Sequence, residues 1–89
     1  MSYFVYILYS DSIDRHYIGS CSDINSRLTR HNAGATPSTK HGRPWKLMYS
    51  ESFENKSDAL KRELHLKKMK SRIFIEKLIN KRENTESYG

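Results

Sequence analysis

Five side chains of this 89-residue chain could work together: the tyrosines of two short apolar tripeptides, Val5-Tyr6-Ile7 and Tyr17-Ile18-Gly19, then Arg27, His31 and Glu63. A guanidinium offers a planar fork of donors that suits a phosphate. Imidazole, with an unperturbed pKa of about 6.5, and phenol, at about 10, can both trade protons. A lone carboxylate can hold Mg²⁺, which keeps several waters and needs only one or two protein oxygens. Spacing favours assembly. Arg27 and His31 stand four apart, so on a helix they stack on one face, with Asn32 next in line. If the two tripeptides form a hairpin, Tyr6 and Tyr17 can share one face of a sheet.

The elements needed to position this set can be read from the sequence. Tyr3 to Tyr9 is an unbroken aromatic and aliphatic run with no 3.6-residue period, which predicts a strand covered on both faces and central in its sheet. Turn formers from Ser10 to Asp14 lead into a second strand, Arg15 to Cys21. Gly19 within that strand marks a bulge or a close approach by a ligand. Ser22-Asp23 supplies an N-cap and Gly34 a C-terminal cap for a first helix, with Ile24 and Leu28 on one side. Ala33 to Pro44 has no large apolar residue, two glycines and two prolines, so it reads as a long loop. Trp45 to Phe53 reads as a third strand in which Leu47, Tyr49 and Phe53 alternate. Ser57-Asp58 caps a second helix with apolar Leu60, Leu64, Leu66 and Met69. Ser71 caps a third, with Phe74, Ile75, Leu78 and Ile79 on one side. The order β-β-α-β-α-α predicts an α+β domain, a small three-stranded and mainly antiparallel sheet with flanking helices, over residues 1–82. Residues 83–89 read as a polar, disordered tail.

Composition narrows the function classes. The net charge of +6 is localised: residues 56–82 carry ten Lys/Arg against three Asp/Glu, and the other 62 residues carry six against seven. Such an excess favours an acidic partner, nucleic acid or an anionic surface, through counter-ion release. The seven-residue apolar run is far short of the ~20 needed to cross a bilayer. No signal peptide is visible. The single cysteine, Cys21, permits neither an intrachain disulfide nor a cysteine-based zinc site, which places the chain in a reducing cytoplasm. His16, His41 and His65 lack the spacing of a histidine metal site.

Four strings stand in a recognisable order: Tyr-Ile-Gly at 17–19, Arg-Leu-x-x-His-Asn at 27–32, Pro-x-x-Leu-x-Tyr at 44–49 and Ala-Leu-Lys-x-Glu at 59–63. Together they resemble the GIY-YIG nuclease superfamily, and within it the small stand-alone bacterial members of the YhbQ type, over residues 3 to about 82. Val5 replaces the first glycine of the name motif. Ser20 stands where some relatives have lysine, and His31 where some have tyrosine. The resemblance implies the family's fold and a metal-dependent DNA endonuclease of low sequence specificity, using Mg²⁺ or Mn²⁺, in DNA repair or recombination. It implies catalytic roles for Tyr6, Tyr17, Arg27, His31 and Glu63. Glu63 would be the metal ligand and Arg27 the phosphate clamp. Tyr17 would accept the proton of the attacking water, with His31 as relay or alternative base.

Lys40, Arg43, Lys61, Lys67, Lys68, Lys70 and Arg72 are candidates for contact with the nucleic-acid backbone, which gives affinity without sequence reading. DNA is the expected partner; the residues do not separate it from RNA. No membrane partner is expected, and targeting would come from a partner protein. Two other readings compete: a non-catalytic nucleic-acid-binding module of the same fold, and a subunit whose basic helices dock an acidic protein. Each residue also has a plain structural reading. Tyrosines on a sheet usually pack, as Tyr3, Tyr9 and Tyr49 should. Arg27 and His31 on an exposed helix would be solvated, and Glu63 would pair with Lys67 at i+4.

Overall fold

The computed structural model describes residues 2–69 and 71–88, the side chains of Ser38 and of residues 82–88 excepted. The elements are β1 (Tyr3–Ser10), β2 (Arg15–Cys21), α1 (Ile24–Asn32), a 3₁₀ helix (Pro37–Gly42), β3 (Trp45–Phe53), α2 (Lys56–Met69) and α3 (Arg72–Tyr88). The expected order therefore holds, with one addition: the long loop contains the 3₁₀ helix, which Pro37 opens. The backbone of α3 runs through Tyr88, into the stretch expected as a polar, disordered tail over 83–89, whose side chains lie outside the described residues, as does the whole of Lys70.

The sheet order is β2-β1-β3, antiparallel throughout, so the apolar first strand is the central one and β2 is an edge. Alternation along β1 separates two small cores. Val5 and Ile7 face Ala59 and Leu66 of α2 and Ile75 and Ile79 of α3. Tyr6 and Leu8 face the other way, onto Trp45, Tyr17, and Ile24 and Leu28 of α1. The β1–β2 register runs unbroken from Phe4↔Cys21 to Ser10↔Arg15, so Gly19 does not mark a bulge. The irregularity lies on the opposite side of β1, where Ile7 pairs with Tyr49 but Leu8 pairs with Leu47. The extra residue, Met48, joins Tyr49 against the first core, and Leu47 is left exposed, which breaks the alternation expected of β3.

The helix ends follow side-chain chemistry. Asp23 caps α1 by accepting from the Ser26 N–H at 3.1 Å, and Gly34 follows the helix at φ 78°. Ser71 caps α3 through the Phe74 N–H at 3.2 Å. The cap of α2 is Asn55 rather than Ser57-Asp58: Asn55 accepts from the Asp58 N–H at 2.8 Å and donates back to the Asp58 carboxylate at 3.0 Å.

The face that α2 buries also differs from the expected one. Ala59 and Leu66 are buried, seven residues apart, with Arg62 and Glu63 half-buried between them; Leu60, Leu64 and Met69 face outward. Arg62 tolerates this position because it donates to both oxygens of Glu51, at 2.9 and 3.1 Å, and the Tyr49 hydroxyl donates to the same carboxylate. At the hairpin end, Arg72 of α3 grips Asp14. That ion pair and the Tyr9 hydroxyl hold the Asp14 carboxyl down to about 2.

The two leucines of α2 should separate cleanly in urea denaturation. Leu66→Ala, at a position 1 % exposed, should cost about 2–5 kcal/mol. Leu64→Ala, at 65 % exposure, should stay within about 0.5 kcal/mol of the parent.

Candidate active site

The site begins with a pairing across the hairpin. Tyr6 lies directly opposite Gly19, and Leu8 opposite Tyr17, so all four occupy the α1 face of the sheet. The two tyrosine rings stand 6.4 Å apart, as the sharing of one face required. Gly19 is needed because the Tyr6 phenol lies over it: a Cβ there would sit 2.5 Å from the hydroxyl and 2.6 Å from Cζ. The close approach that the glycine signalled is therefore made by a side chain of the protein itself.

From Tyr6 a directional chain runs inward. Thr39 Oγ1 donates to the Thr36 carbonyl at 3.3 Å, so it accepts from the Nδ1–H of His31 at 2.8 Å. Nε2 of His31 is then bare and accepts the Tyr6 hydroxyl proton at 3.1 Å. Burial pushes the Tyr6 phenol well above its ordinary value, with the neighbouring Tyr17 adding to the shift. Burial also lowers His31, and Arg27 and Arg30 lower it further. The pair is thus a neutral phenol on a neutral imidazole. His31 is 1 % exposed, whereas an exposed helix would have left it solvated. The 3₁₀ helix closes over it, held by the Trp45 indole N–H on the Thr39 carbonyl at 2.7 Å. Asn32 bridges both backbone groups of Trp45, a structural task.

Glu63 approaches from the other side of the sheet. Its Oε1 accepts from Ser20 Oγ at 2.5 Å and its Oε2 from Lys67 Nζ at 2.6 Å, so the expected i+4 pair is present. Ser20 and Tyr17 point to opposite faces of β2, and only the strand's free edge lets the two sets meet. Two depressions open along that edge, and each draws on both faces. One, about 170 Å³, is lined by Ser20, Cys21, Arg27 and Lys56 among others. The other, about 500 Å³, includes Tyr17 and Lys67. The charges of Arg27 and Glu63 both act on Tyr6, in opposite senses. The described residues contain no group of three or more His, Cys, Asp or Glu that could hold a metal, so any cation here would rest on fewer than three such side chains.

The structure thus gathers Tyr6, Tyr17, Arg27, His31 and Glu63 around β2. The basic candidates are dispersed. Lys40 and Arg43 lie together near the 3₁₀ helix, where Arg43 donates to the Lys40 carbonyl at 2.9 Å. Lys61 and Lys68 are exposed on α2. Lys67 is engaged by Glu63, and Arg72 by Asp14 and Glu76. Sequence reasoning did not assign Ser20 or Thr39 a place. Ser20 carried a faint signal as a departure within the motif; Thr39 had none, being one polar residue in a polar loop.

Residues 2–83 match the GIY-YIG catalytic domain family. Among curated proteins, the UPF0213 proteins of Staphylococcus aureus strains Mu50 and MW2 are each 45% identical over 67 residues, covering 74% of this chain and 80% of theirs. Among solved structures, the solution structure of the UPF0213 protein BH0048 from Bacillus halodurans superposes with a TM-score of 0.55 at 30% identity, over 90% of this chain and 84% of that one.

Two measurements check the geometry of the tyrosine–histidine chain. Gly19→Ala forces the buried Tyr6 ring off His31 and should cost about 1–3 kcal/mol in denaturant unfolding. A histidine held below its free value binds fewer protons folded than unfolded, so its stabilisation is complete above pH ~6.5 and falls as the pH drops through and below that value. Melting temperatures between pH 8 and 5 should therefore decline for the parent, and His31→Gln should flatten the decline, leaving the part due to His16, which burial also lowers.

Proposed function

The chain belongs to the GIY-YIG family, whose domain is of nuclease type, and on that premise we propose that it is an endonuclease hydrolysing phosphodiester bonds in DNA with Mg²⁺ or Mn²⁺. The observation that supports the reading is that Tyr17 and Arg27 line the two depressions on the β2 edge, and that Glu63 is bonded to Ser20, which lines the second. An extended backbone can lie along such an edge, whereas a buried pocket would admit only a small molecule.

The residues fit a divalent ion. Glu63 is a carboxylate fixed at Oε1 by Ser20, and its Oε2 is covered only by a half-exposed lysine. Such an (i, i+4) pair is worth about 0.3–0.5 kcal/mol, so it competes with a cation for Oε2 without closing the site. The bound ion would supply Lewis-acid polarisation of the phosphate and stabilisation of the departing oxygen. Arg27 holds the same phosphate as its charge grows. A water oxygen bonds to phosphorus while the phosphorus–oxygen bond to the leaving sugar breaks, and Tyr17 takes the water's proton. His31 has both ring nitrogens occupied and no open side, so it acts through Tyr6, as a relay and a fixed support rather than as the base that meets water. Lys40, Arg43, Lys61 and Lys68 would hold the strand by phosphate contacts, giving weak sequence preference. No described helix is long and apolar enough to cross a membrane, and we place the work in the cytoplasm, in repair or recombination, with targeting left to a partner.

Nicking of supercoiled DNA in Mg²⁺ tests the reading. Arg27→Ala should slow cleavage by ~10²–10³ and Glu63→Gln should abolish it, with both proteins folded. Equal cleavage by parent and Glu63→Gln would remove the metal assignment. If neither cleaves while both bind DNA with a steep salt dependence, the chain is a binding module of the same fold.

A further inference from the structure

Lys67 was expected to contact phosphate, yet its ammonium lies 2.6 Å from Oε2 of Glu63, while Ser20 occupies Oε1. The two contacts are unequal. Ser20 is half-buried on β2 and reaches Glu63 across 43 residues of sequence, so the sheet sets its position. Lys67 is 47% exposed on a flexible stem and is held only by sharing a helix face with Glu63. Glu63 itself is 15% exposed, so the sheet and helix hold its carboxylate in place more firmly than Lys67's ammonium. Lys67 also lines the 500 Å³ depression that holds Tyr17, so its ammonium needs only side-chain rotation to leave the carboxylate for a phosphate lying along the β2 edge.

Resting on the assignment of Glu63 as metal ligand, we propose that Lys67 is a displaceable latch on the metal site: it fills the cation's place on Glu63 until a divalent ion and a nucleic-acid phosphate arrive together. The ion takes the carboxylate oxygen and the phosphate takes the ammonium. Neither exchange strands a charge when both occur, whereas the ion alone must displace Lys67 into water and sit beside a like charge. Metal and nucleic acid therefore bind with positive coupling, and the free protein resists loading. Ser20 is a positioning residue: it keeps the carboxylate aimed at the edge whichever cation is present.

Titration of the nucleic-acid-free, isotope-labelled chain with Mg²⁺, followed by the amide signals of Ser20 and Glu63, reads this directly and involves no turnover. Lys67→Met should bind Mg²⁺ about threefold or more tightly than the parent, by loss of a competing and repelling charge. Lys67→Arg should stay near the parent. Adding a short phosphorothioate-protected DNA duplex should tighten Mg²⁺ binding in the parent more than in Lys67→Met. Equal titrations for parent and Lys67→Met, including no response in either, overturn the latch. The double variant Glu63→Gln with Lys67→Met separates this from the underlying assignment. If it binds Mg²⁺ as Lys67→Met does, Glu63 is not the ligand and the proposed mechanism fails with it. If it loses binding while Lys67→Met matches the parent, only the latch is wrong.

Discussion

The arrangement depends on one contact, the Tyr6 phenol lying over Gly19 of the neighbouring strand. Because β1 is central, its side chains at this position are sealed between sheet and helix. A phenol there must find a partner for its hydroxyl, since leaving it unpaired would cost about 1–3 kcal/mol. His31 is that partner, which fixes the rotation of α1. Thr39 completes the histidine's second nitrogen, which fixes the 3₁₀ helix, and Trp45 ties that helix to the start of β3. A segment with almost no apolar content is thus held by a line of hydrogen bonds beginning at a glycine.

The fold was largely legible in the sequence, because each element carried a local signature. The seven-residue apolar run meant a strand covered on both faces, and the caps at Asp23 and Ser71 act where the sequence put them. The misses have physical reasons. The buried face of α2 was misread because Arg62 and Glu63 occupy buried-side positions through Glu51 and Ser20, partners on other elements that no helical period reveals. Met48 slips the register of β3 without any glycine or proline to announce it. The 3₁₀ helix has no apolar pattern because a hydrogen-bonded polar side chain, Thr39, anchors it in place of a greasy one.

The residues of the candidate site could be named from spacing and resemblance, but their relations could not. Sequence placed Tyr6 and Tyr17 on one sheet face and Arg27 beside His31. It could not show that Glu63 comes from the opposite face, nor that His31 is enclosed while Arg27 is open. It named Lys67 twice, as an ion-pair partner of Glu63 and as a candidate phosphate contact; the ion pair is present, and the same side chain lines the depression beside Tyr17.

The open border of β2 carries a liability along with its use. An edge strand presents unpaired backbone N–H and C=O groups, a ready template on which another strand can add. Most folds blunt such an edge with a covering helix or loop. Here a cover would shut the depressions that open along β2, and the strand has two defences, its brevity of seven residues and Arg15 at its start. Strand addition at β2 would therefore cover those depressions and begin aggregation in one event. Under the proposed function, a nucleic-acid strand lying along the same border would also shield it from such pairing.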